Sequence, residues 1–130
     1  MMKYNEIIET CFFNPEHAGF DEAEFHRILE YFPANSSSRM VFAMREAKAE
    51  FPISLRFKAS GNPYILAAAE WICRQCTKKK YIQLMEMSPK DWHILLGIPM
   101  SQKRTALQIT EACDRLVQTI KKGEPYEREC

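Results

Sequence analysis

Residues 53–71, ISLRFKASGNPYILAAAEW, change their period halfway along. Ile53, Leu55 and Phe57 alternate with Ser54, Arg56 and Lys58, which is the pattern of a strand with one buried and one wet face. Ser60-Gly61-Asn62-Pro63 then makes a tight turn. Asn62 suits a helix cap and Pro63 the first helical position. Beyond them Ile65, Ala68, Ala69, Ile72 and Cys76 recur at helical spacing, with Leu66 and Trp71 beside them. A helix this apolar belongs at the centre of the domain, and Arg74, Lys78, Lys79 and Lys80 read as its solvated basic end.

The flanking segments complete an α+β order. Upstream, Tyr4, Ile7, Ile8, Cys11 and Phe12 form the stripe of an N-terminal amphipathic helix that Asn14-Pro15 should stop. Residues 20–32 fit a helix or a strand. Residues 40–47 form a second strand, joined to residues 53–58 by a link short enough for an antiparallel hairpin. Downstream, Ser88-Pro89-Lys90-Asp91 starts a helix that Gly97 and Pro99 end. A long last helix starts near Ser101, repeats Ala106, Ile109, Cys113, Leu116, Val117 and Ile120, and stops at Gly123. The expected fold is a small antiparallel sheet of about three strands with helices on one face. It forms one domain over residues 1–123, followed by a flexible tail over residues 124–130.

Composition narrows the function classes. The chain has 130 residues, 46% hydrophobic and 27% charged, with a net charge of +1. That length buries one core without staples, so the five cysteines need not form disulfides. No run has the length or form of a signal peptide or membrane span, and near-neutral charge disfavours nucleic acid as the main partner. The expectation is a reduced, cytoplasmic protein.

Local chemistry is sparse. Cys73-x-x-Cys76 is one candidate for zinc or redox work, with Cys113 as a possible third ligand. No second ligand pair stands at zinc spacing, and the pair falls late in its helix, where the dipole disfavours a thiolate. Packing is the simpler role for these thiols. His17, His26 and His93 are scattered, with no acid beside them in a catalytic or ligand pattern, and Trp71, Trp92 and the methionines read as core.

The pieces in order resemble a known family. YNEIIETCFFNPEHAG, residues 4–19, is similar to the opening of the IscU/NifU N-terminal scaffold proteins, with Tyr4, Phe12, Asn14, Pro15 and Gly19 at the family spacing. ISLRFKASG resembles the family strand ending Arg-Phe-Lys-Thr-aromatic-Gly. GIPMSQKRTALQITEACDRLV resembles its Leu-Pro-Pro segment, His-Cys pair and closing helix. The likeness covers residues 3–120 and favours a strand over residues 25–32.

The family assembles an iron–sulfur cluster on three cysteines, an aspartate and a histidine. On this alignment the cysteines fall at Ser36, Asn62 and Thr105, the aspartate at Ser38 and the histidine at Arg104. All five positions are replaced by poor ligands for a soft-ligand site. The resemblance thus implies a non-enzymatic protein-binding or regulatory module with no resident cofactor. Its partner would be a protein, for example a cysteine desulfurase or another cluster-assembly protein. The implied partner surface includes Tyr4, Asn14, Pro15, Pro99 and Arg104. One alternative is a hetero-oligomer in which a second chain supplies the ligands for an iron–sulfur cluster; the other is zinc or redox binding at Cys73 and Cys76.

Overall fold

The computed structural model describes residues 5–20, 27–31, 38–45, 54–77 and 81–122. Their order is α1 (Glu6–Phe13), β1 (Arg27–Tyr31), β2 (Arg39–Arg45), β3 (Ser54–Ser60), α2 (Pro63–Thr77), α3 (Tyr81–Met85), α4 (Pro89–Leu96), a 3-10 turn (Met100–Gln102) and α5 (Lys103–Lys122). The strands form one antiparallel sheet in the order β1-β2-β3. The expected α+β architecture is present, including the N-terminal helix and the long last helix.

Register explains which face is buried. Leu29, Phe42 and Phe57 lie opposite one another across the three strands, as do Tyr31, Met40 and Ala59. These share the face turned to the helices, where Tyr31, Met40, Phe42, Met44, Leu55 and Phe57 are buried. Full burial of a side chain such as Phe42 is worth about 1.5–3 kcal/mol. The other face departs from the expected wet surface, because Val41 and Ala43 are also buried. Val41 lies between Glu30 and Lys58, and Ala43 between Ile28 and Arg56.

Residues 27–31, ambiguous by periodicity, are a strand. Their length suits a partner strand more than a free helix, and Tyr31 ties β1 to α5. Its hydroxyl donates to the Glu111 carboxylate, and the Arg115 guanidinium lies over its ring. Burial and that bond push the Tyr31 hydroxyl up to about 12.

α2 is central, as its composition predicts. Ile65, Ala67, Ala68, Ala69, Ile72 and Cys73 are fully buried, and the helix packs against α1, β3, α3, α4 and α5. Trp92, fully buried, stacks edge-on against Trp71 at 5.6 Å between ring centroids. The expectation that all methionines are core fails at Met85 and Met100, which are exposed. The short α3 was not foreseen, since five residues are too few for a period to show.

Helix ends follow the local chemistry. Asn5 caps α1 by accepting from the Ile8 amide at 3.0 Å, while its own amide donates to the Leu95 carbonyl at 2.9 Å. Ser88 and Asp91 form a reciprocal capping box on α4, with Pro89 in the first turn. Gly97 ends α4 in the left-handed region at φ 68°, and a Cβ there would stand 3.3 Å from the Asn5 side-chain nitrogen. Gly97→Ala is therefore expected to lower stability by about 1–2 kcal/mol, read from the urea midpoint. An unchanged midpoint would contradict this account of the turn.

No described helix is long and apolar enough to cross a membrane. The predicted tail over residues 124–130, the start of the second hairpin strand at Ile53 and the basic run at Lys78, Lys79 and Lys80 lie outside the described residues.

Candidate functional site

Two helices begin at the same end of the sheet, and one side chain joins them. Asn62 caps α2 through its carbonyl oxygen, which accepts from the Ile65 amide at 3.1 Å. Its amide nitrogen donates to Thr105 Oγ1 at 3.0 Å and to Gln102 Oε1 at 3.3 Å. Thr105 lies in the first turn of α5 and is buried. Ser38 closes the third side. A Cβ built on Gly61 would stand 3.1 Å from Ser38 Oγ, and Gly61 has φ 142°. Only glycine combines that backbone with so near an approach.

Ser38, Asn62 and Thr105, remote in sequence, therefore converge. Arg104 is exposed beside Thr105, and Ser36 lies outside the described residues. The groups gathered here are hydroxyls and carboxamides, and Asn62 bonds two of them, Thr105 and Gln102. The Asn62 nitrogen aims hydrogens at Thr105. A thiolate-preferring ion would meet donors where it needs lone pairs. These residues do not fit an iron–sulfur cluster or a tetrahedral zinc ion.

The predicted partner-surface residues divide between two places. Pro99 precedes the 3-10 turn, accepting from the Gln102 amide at 2.9 Å, and Arg104 follows it. Asn14 lies after α1, its carbonyl accepting from Arg74 Nη2 at 3.1 Å in the last turn of α2. Pro15 follows Asn14. Asn62 and Arg74 mark opposite ends of α2, about 18 Å apart by helical rise. Tyr4 lies outside the described residues.

The alternative sulfur site gains no support from its surroundings. Cys73, Cys76 and Cys113 are all buried in the apolar core. Burial pushes Cys76 up to about 12 and raises Cys73 and Cys113 as well. A thiolate is thus strongly disfavoured at each. Among the described residues, the metal-capable group of three is Glu16, His17 and Glu70, whose ligand atoms lie within 4.8 Å of one another.

That group is occupied by protein donors. Glu70 is fully buried on α2. Its carboxylate accepts from the His17 amide at 2.8 Å, His17 Nδ1 at 2.8 Å and Arg74 Nε at 2.6 Å. Burial works to raise Glu70, but the bonds from Arg74, His17 and the Glu16 amide outweigh it and hold the carboxyl below its usual value. An acceptor-only carboxylate places the proton on His17 Nδ1. Arg74 already supplies the cation, so the cluster is a tether for residues 14–19. It corrects the reading of Arg74 as part of a solvated helix end.

The tether holds a single parallel β-bridge between Ala18 and Phe57. Gly19 donates to the Phe57 carbonyl at 2.7 Å, and Phe57 donates to the His17 carbonyl at 2.9 Å. Arg56 donates to the carbonyls of Gly19 and Ala18, each at 2.8 Å. Residues 17–19 thus cap the outer edge of β3 in parallel, protecting it from pairing with another chain. Beneath them lies an apolar groove of about 240 Å³ that Cys11, Pro15, Phe57, Lys58 and Leu66 help line.

Sequence reasoning missed the Glu70 cluster because His17 and Glu70 are 53 residues apart. A usable signal was present: Glu70 is a lone acid in an apolar helix, with Arg74 four residues on. Comparison of the chain with protein-family models and with curated proteins finds no match.

Proposed function

We propose that this chain is a non-enzymatic protein-binding module, built on a frame like that of the IscU/NifU scaffolds, whose cluster-holding position has been given over to a hydrogen-bonded lock. One observation carries the reading. Asn62 and Thr105, where the resemblance puts two of the cluster's cysteines, are in direct contact at 3.0 Å with Ser38 close by. Residues 43 apart in sequence gain that proximity from the fold. The side chains there are ones that bind each other instead of iron.

The lock also has a structural effect. It joins the starts of α2 and α5 across the rim of the sheet, fixing the surface that a partner would meet. A cluster scaffold must exchange its cargo, whereas a rigid rim suits recognition by shape. Sulfur transfer to this position has no acceptor thiol, because Thr105 cannot carry a persulfide.

The test is reconstitution. Protein incubated anaerobically with ferrous iron and sulfide, then desalted, is expected to be colourless and free of iron. The Cys73→Ser, Cys76→Ser double variant should give the same result. Stoichiometric iron with a sulfur-to-iron charge-transfer band would overturn the proposal. Its loss in the double variant would assign the metal to the α2 cysteines.

A further inference from the structure

We propose that the face around Asn62 docks an acidic protein surface; this deepens the preceding reading and rests on it. The face is formed by the start of β2, the turn between β3 and α2, and the start of α5, held together by the Asn62 bonds and the Ser38–Gly61 approach. Residues 38–45, 57–69 and 98–110 contain no Asp or Glu. Arg39, Lys103 and Arg104 lie within them and are exposed. The whole chain is nearly balanced, with 18 Lys and Arg against 17 Asp and Glu, so this separation is local.

Helix electrostatics sharpen the point. The N-terminus of a helix carries partial positive charge and is stabilised by acids in its first turn. α1 has Glu6 and Glu9 there, and α4 has Asp91. α2 and α5, which both start at this face, have none. α5 instead opens with Lys103 and Arg104, both exposed and neither in an ion pair among the described residues. Two cations against a positive helix end work against folding. An anionic partner relieves that repulsion and takes advantage of both dipoles.

The chemistry of the face favours protein over nucleic acid. Met100 is 66% exposed and Leu107 48% exposed beside the cations, giving apolar anchors within a charged rim. Tyr64, the aromatic nearest the turn in sequence, is buried and offers no base-stacking platform.

The experiment uses the protein as purified, its iron content measured first, with amide shifts followed by NMR. The probe is a short peptide of repeating Glu-Asp-Leu; a Lys-Arg-Leu repeat and a single-stranded oligodeoxynucleotide serve as comparators. The acidic peptide should bind saturably at low salt and shift Ser38, Gly61, Asn62, Gln102 and Thr105. The Lys103→Glu, Arg104→Glu double variant should bind at least ~10-fold more weakly while melting at a higher temperature than the parent. Lys90→Glu, at an exposed position on α4, should leave affinity unchanged. Absent binding, binding untouched by the double variant, or equal or tighter binding of the oligonucleotide would each overturn the proposal. Iron found in the starting protein would instead overturn the vacated-site reading, which keeps the two failures separate.

Discussion

Glu70→Ala is expected to destabilise the protein by about 3 kcal/mol, measured as the loss in unfolding free energy in urea. Removing one partner of a buried pair costs about 3–5 kcal/mol, because the remaining groups are left desolvated and unpaired. The lower end applies here. Glu70 is fully buried, but the His17 and Arg74 side chains each retain 20% exposure and can recover some hydration. Glu70→Gln keeps the shape and one acceptor, so it should fall between the parent and Glu70→Ala. Amides of residues 16–19 should exchange faster in both variants, since the carboxylate is what fastens that segment to α2. A loss below about 1 kcal/mol, within the range of a typical neutral hydrogen bond, would contradict the tether.

The same group gives a pH signature with a definite sign. Glu70 has its folded-state value below the ordinary one, so the folded protein holds the anion more tightly than the unfolded chain does. Its contribution is fully present above the unfolded value of about 4.3 and is lost as pH falls through the lower folded value. Unfolding free energy should therefore decline with acid below about pH 4.3, and less steeply in Glu70→Gln. Equal slopes in that window would remove Glu70 as the cause.

Much of the fold was legible because periods and punctuation agree. The alternation through Leu55 and Phe57, the Asn62-Pro63 start and the α5 stripe each state one local structure, and each has the predicted core facing inward. What stayed hidden was decided by contacts between distant segments. Strand character at Ile28 and Leu29 depends on pairing with Ala43 and Phe42. The β-bridge at residues 17–19 has no β pattern of its own and exists because Phe57, Arg56 and Glu70 hold it.

The candidate site divides in the same way. The resemblance suggested that Ser38, Asn62 and Thr105 should lie near one another, and these three do. The Asn62–Thr105 contact could not be read from either residue alone, since each is an ordinary helix-start residue. Gln102 was missed as a third member, and no local signal marks it. Cys73 and Cys76 illustrate the opposite error. Their spacing resembles chemistry, yet i and i+3 on a buried helix face place both sulfurs in the apolar core.

The claim that a cluster frame survives without its ligands predicts that restoring the ligands restores metal binding. A variant carrying Ser36→Cys, Asn62→Cys, Arg104→His and Thr105→Cys would present three thiolates and an imidazole, a set that tetrahedral zinc and cobalt favour. Losing the Asn62 cap should lower apo stability by about 1 kcal/mol, and metal should more than recover it. The decisive measurement is anaerobic cobalt titration of the parent and this variant, with circular dichroism verifying that both are folded. The account predicts one tetrahedral cobalt per variant chain, with sulfur-to-cobalt charge transfer, and none in the parent. A folded variant that takes up no cobalt, or a parent that takes up as much, would contradict it.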